Sequence, residues 1–270
     1  MSLSLVAAAD DLPAAFADFG PAQLLAAVIA VYLVVGEPVV GYVLHRRFEG
    51  RLRTDQGARR SVYRRLLVLE WGLALVTLVV WAAAPAVGAA QVGLVSPQRW
   101  PGPFTWAACA ALLVLLLVST RALRSGAVAG PPPDVLRSTR PGEARHAEPP
   151  GHATLALLPR TRSERRLFAL VGVTAGVCEE WLYRGFLLAV VAAIAPGLPT
   201  VLLVLVAAAA FGLAHAYQGA SGMLTTGVLG GVLAGVYVAT GSLLLPVLLH
   251  AVIDLRFLLV PSSALPATAR

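Results

Sequence analysis

The sequence predicts an all-α, polytopic membrane helix bundle of about seven transmembrane helices, with the N-terminus outside and the C-terminus cytoplasmic. Three observations carry this. Of 270 residues, 58% are hydrophobic and only 13% charged, outside the range of ordinary soluble domains. The apolar residues fall into runs close to the ~20 residues that cross a bilayer core as helix. The charges gather between those runs: all 21 basic residues are Arg, eight of them between Arg46 and Arg65 and nine between Arg121 and Arg166. Basic residues concentrated in two inter-helix segments are a topology signal rather than a phosphate footprint, so no nucleic-acid partner is expected despite the net charge of +7.

The candidate spans are 22–44, 66–88, 104–122, 167–195, 199–217, 221–240 and 243–260. Ahead of them, Asp10, Asp11 and Asp18 with no basic residue lack the positive start of a secretory signal, which leaves insertion to the first helix. That helix carries Glu37-Pro38, where a kink is expected near its inner end. The second carries Glu70 near its start. Both glutamates read as interfacial or partner-helix contacts rather than chemistry. The loop from His45 to Arg65 is net +6 and that from Thr120 to Arg166 net +5, which puts both in the cytoplasm. Gln91 to Pro103, with the single Arg99, then falls outside, and seven crossings return Arg270 to the inside.

Composition divides the chain into a three-helix membrane part (1–124), a flexible Pro/Arg-rich cytoplasmic linker (125–163), a four-helix core (164–262) and a tail (263–270). In the core, Pro196-Gly197-Leu198-Pro199, Gln218-Gly219 and Thr240-Gly241 are tight connections that make its helices sequential antiparallel neighbours. Gly227 and Gly231 in the sixth helix have the small-xxx-small spacing of close helix packing. Cys109 and Cys178 both lie in apolar runs and imply neither a disulfide framework nor a zinc knuckle.

Within Leu167 to Pro261 the only charged or histidine residues are Glu179, Glu180, Arg184, His215, His250, Asp254 and Arg256. Ionisable side chains at membrane depth cost on the order of several kcal/mol unless paired or facing a water-filled cavity, which makes them functional candidates. At ~100° per residue, Arg184 stands close to Glu180 and away from Glu179. Glu180 and Arg184 are therefore expected to pair, leaving Glu179 without that partner and suited to act as a general base. Phe211 and His215 share one face of the fifth helix. His250 and Asp254, four apart on the seventh, allow Asp254 to orient the His250 ring, make its own contact or complete a metal shell.

The ordered set Glu179-Glu180-x-x-x-Arg184, Phe211-x-x-x-His215 and His250-x-x-x-Asp254 resembles the three motifs of the CAAX-protease and bacteriocin-processing (CPBP, Abi) family of intramembrane proteases, over roughly Leu167 to Val260. The resemblance implies that Glu179 activates water with His215 assisting. It further implies that His250 and Asp254 polarise the scissile carbonyl, while Glu180 and Arg184 hold the site together. Many members have Asn in place of Asp254; an ionised Asp makes a poor oxyanion donor and must instead be protonated, orient His250 or bind metal.

The function expected is thus that of an integral plasma-membrane endopeptidase, bacterial in view of the missing lysine, acting on a membrane-associated or lipidated protein or peptide. No cofactor is favoured. A divalent metal such as zinc would use Glu179, His215, His250 and Asp254, but these lack the His-Glu-x-x-His arrangement that delivers two imidazoles from one helix. The competing readings are a non-catalytic scaffold or bacteriocin-immunity protein, and a small proton-coupled transporter. The transporter would be expected to show repeat symmetry, which the sequence does not display.

Overall fold

The computed structural model describes residues 20–55, 57–125, 155, 157–262 and 265, and all regular structure among them is helical. Among the described residues, seven helical rods follow one another. The first joins α1 (Pro21–Val31), a π-helical stretch (Tyr32–Gly36) and α2 (Glu37–Thr54); α3 (Ala58–Ala82) and α4 (Pro103–Arg124) follow. The fourth rod joins α5 (Arg162–Glu180), a second π stretch (Trp181–Leu187) and α6 (Leu188–Ile194). The last three are α7 (Thr200–Ala214), α8 (Gly219–Thr240) and α9 (Leu244–Leu255), with 3₁₀ turns at Ala216–Gln218 and Arg256–Leu259.

Each rod sits where an apolar run was expected, with ends moved for identifiable reasons. Rod one runs past 44 to Thr54 and α3 begins at Ala58. The basic segment His45 to Arg65 is therefore mostly helix, with its arginines riding on two helix ends rather than in a loop. The α3 helix stops at Ala82, short of 88, before Ala84-Pro85, and α9 gives way to a 3₁₀ turn ahead of Pro261; in both places the residue before proline is pushed away from α geometry. At Glu37-Pro38 the helical path continues. The wider turns of Tyr32–Gly36 stand where the kink was expected, and Pro38 falls in the first turn of α2, where its missing N–H is tolerated. Most of the linker 125–163 lies outside the described residues. At its end Thr161 caps α5 in a reciprocal box with Glu164, whose Oε2 accepts the Thr161 N–H at 2.9 Å.

The protein is membrane-integral. Pro21–Phe48, Ala58–Ala82, Pro103–Ala122 and Ala216–Thr240 are each long and apolar enough to cross a bilayer. The fourth rod is interrupted by Glu179, Glu180 and Arg184, and α7, with 15 residues, extends only about 22 Å at 1.5 Å per residue. Val28, Val35, Val68, Val79, Val201 and Leu224 point outward, the arrangement of a lipid-facing belt.

Packing inside the bundle relies on close backbone approach and on indole–hydroxyl bonds. A Cβ on Gly212 would lie 2.8 Å from the Met223 carbonyl oxygen, and one on Gly227 3.2 Å from that of Ala208, so glycine lets α7 and α8 cross in contact. Gly176 does the same between α5 and α9, where an added Cβ would meet Ala251 N at 2.9 Å. Trp71 Nε1 donates to Thr174 Oγ1 (3.1 Å) and Trp181 Nε1 to Thr77 Oγ1 (2.7 Å), tying α3 along the fourth rod. Leu33, Ala74 and Val80 from the first two rods share one apolar core with Cys178, Leu187 and Phe211.

Candidate active site

The α5 helix ends on Glu179 and Glu180, and the π stretch begins at Trp181. Successive helical residues point in different directions, and here the two carboxylates part company. Glu180 turns inward, fully buried, and its Oε1 accepts from Arg184 Nη1 at 2.9 Å. Arg184, also fully buried, donates from Nη2 to the Gly230 carbonyl (3.1 Å), and its guanidinium lies 4.4 Å from the centre of the Phe211 ring. The expected pair is present, with a backbone acceptor and an aromatic face as additional partners.

The α9 helix brings His250 to the same carboxylate. His250 Nδ1 stands 2.8 Å from Glu180 Oε1, the oxygen that already accepts from Arg184. An ionised carboxylate accepts only, so the imidazole donates from Nδ1. The orienting carboxylate of His250 is thus Glu180. Asp254, expected to be able to serve in that role, instead lies with its Oδ2 3.8 Å from the other nitrogen, Nε2. Glu179 Oε2 is also 3.8 Å from Nε2. Both separations exceed hydrogen-bond length but put the ring edge in the field of two carboxylates.

His215 terminates α7. Its Nδ1 lies 2.8 Å from the Phe211 carbonyl, an acceptor only, so Nδ1 carries the proton and Nε2 is the ring's proton acceptor. Phe211 stands between the two histidines, 4.7 Å from the His215 ring and 5.7 Å from the His250 ring between centroids. Arg256, outside the three motif groups, points Nη1 at the Ile253 carbonyl.

Glu179, His215 and Asp254 line one cavity of about 570 Å³ whose walls are otherwise largely apolar. Glu37 and Glu70 line it too. Glu37 Oε2 accepts from the Tyr183 hydroxyl at 2.7 Å, whereas Glu70 Oε2 is shut off from solvent without a hydrogen-bond partner. The sequence reads both as interfacial or partner-helix contacts, and the Glu37 bond to Tyr183 of the fourth rod is such a contact. Each is also a carboxylate inside an apolar run, the criterion that singles out Glu179. Tyr183 gave no comparable signal, being an ordinary aromatic in an apolar helix.

The side chains named for a metal do not converge. Among the described residues, no group of three His, Cys, Asp or Glu stands in position to share an ion. One nitrogen of each histidine is engaged, by the Phe211 carbonyl and by Glu180. In comparisons with known proteins, residues 162–256 match the family described as Type II CAAX prenyl endopeptidase Rce1-like. No curated protein and no solved structure matches the chain.

Proposed function

We propose, from the match of residues 162–256 to the family described as Type II CAAX prenyl endopeptidase Rce1-like, that this protein is an intramembrane endopeptidase. In this reading it hydrolyses a peptide bond of a membrane-associated or lipidated protein or peptide, in a cavity open to the cytoplasm. The carrying observation is the grouping of Glu179 and Asp254 around His250 Nε2, each 3.8 Å away, at a cavity that His215 also lines. Residues 164–262 would supply the reacting groups, and 1–124 would supply membrane anchorage and one cavity wall.

Glu179 takes a proton from a water, with the unprotonated Nε2 of His215 as the assisting acceptor, and the hydroxide attacks the scissile carbonyl. The carbonyl carbon becomes tetrahedral, and the charge on its oxygen is met by a donor from His250 Nε2. Asp254 stands beside the same nitrogen, 3.8 Å away. The proton held by Glu179 then passes to the leaving amine as the C–N bond breaks. Glu180 and Arg184 fix the imidazole and touch no reacting atom. In this reading no step requires a metal.

Two arms test this. Purified wild type and Glu179→Ala, assayed on membrane-tethered peptides, should differ as cleavage against none. Absence of cleavage by both would favour the scaffold or immunity reading. Protein purified without added metal should hold no stoichiometric zinc and should keep its activity in chelator; zinc-restorable loss would overturn the metal-free step.

A further inference from the structure

We propose that Glu37 and Glu70 form a subsite of the cavity that takes the ammonium or guanidinium group of a substrate's basic side chain. The inference rests in part on the endopeptidase reading, since it assumes that a peptide enters this cavity. Among the described residues, four carboxylates line it, Glu37, Glu70, Glu179 and Asp254, and none of the lining residues is Arg. Of the imidazoles near it, His215 holds its Nδ1 on the Phe211 carbonyl, and His250 stands 3.8 Å from both Glu179 and Asp254, beyond hydrogen-bond length. Among the described residues, the hydrogen-bond partner of Glu37 is the Tyr183 hydroxyl, and Glu70 Oε2 is excluded from solvent with none.

Glu70 shares the cavity wall with three other carboxyl groups, those of Glu37, Glu179 and Asp254, and with no cation among the described lining residues. Carboxylates held in an apolar setting are normally paired, and a cation entering from outside completes what the chain leaves open. An inorganic ion fits poorly, because no three of these groups share a point. A flexible side chain fits better: its charged head reaches the carboxylates while its methylene stem lies along apolar wall residues such as Val40, Leu69 and Leu73.

The test uses the full chain in detergent and lipid-anchored peptides in which a single Lys is walked along a neutral sequence, each against its norleucine counterpart. Binding is read by fluorescence anisotropy in the Glu179→Gln protein, so turnover is not needed. At one position the Lys peptide should bind about tenfold or more tighter than the norleucine one. Glu70→Gln or Glu37→Gln, added singly, should reduce that ratio towards one without weakening the norleucine peptide, and Glu70→Asp should restore part of it. Gln at 37 still accepts from Tyr183; if that variant fails to fold, Glu70→Gln decides. Equal binding of Lys and norleucine at every position, or a preference untouched by Glu70→Gln, would overturn the subsite. A Lys preference lost in Glu70→Gln, in a protein that cleaves nothing, would sink the endopeptidase reading and leave the subsite standing.

Discussion

Glu179 and Glu180 are adjacent in the chain and opposite in circumstance. Removing the charge of Glu180 strands a fully buried guanidinium and releases His250 Nδ1. Glu180→Gln is therefore expected to cost about 3–5 kcal/mol, the range for breaking a buried pair, and to lower the midpoint of thermal unfolding in detergent. Glu179→Gln should abolish peptide cleavage while leaving that midpoint near wild type, since Glu179 Oε2 makes no hydrogen bond that the fold depends on. Equal losses of stability and activity in the two variants would remove the ground for giving them different work. At this scale the sequence was legible where contacts are local. The Glu180–Arg184 pair follows from i,i+4 spacing, and the same rule offered Asp254 as the orienting partner of His250. The actual partner is Glu180, 70 residues away, and that contact depends on the rotation of α9 against α5, which spacing within one helix does not encode.

At the scale of elements, the crossing of α7 and α8 rests on glycine. The Met223 carbonyl that a Cβ at Gly212 would meet is backbone and cannot swing aside. Gly212→Ala should thus destabilise by about 1–3 kcal/mol as an overpacked contact. Gly72→Ala, where nothing lies within 4 Å of the added atom, should show no such loss. Thermal unfolding of the two variants side by side checks the contrast. The existence of the seven rods is legible in hydropathy, but the ends expected at 88 and 260 overrun the helix stops at Ala82 and Leu255, near Pro85 and Pro261. The π stretches are not legible there. Arg184, Gly185 and Gly36 mark these stretches without encoding a π register, and their wider turns accompany tertiary contacts: Trp181 on Thr77, and Tyr183 on Glu37.

For the whole molecule, the arginine distribution sets a testable orientation. Single cysteines at Gln56 and Pro141, introduced after replacing Cys109 and Cys178, should react with an impermeant thiol reagent only when the cytoplasmic face is opened. Labelling from outside intact cells would invert the topology and move the cavity mouth to the other side. The two halves meet where their wide turns meet: the Tyr183 hydroxyl, inside the second π stretch, reaches the Leu33 carbonyl inside the first at 3.5 Å and Glu37 just beyond it. A π turn spaces its backbone bonds i→i+5 and disturbs the regular ladder of the α-helix on either side. In an otherwise tightly bonded bundle these two places are the natural points of local opening. Deuterium should therefore reach the amides of 32–37 and 181–188 sooner than those of the helices flanking them, as mass spectrometry of the exchanged protein would read, so that the backbone beside Glu37 and Glu180 breathes while the rods carrying it stay closed.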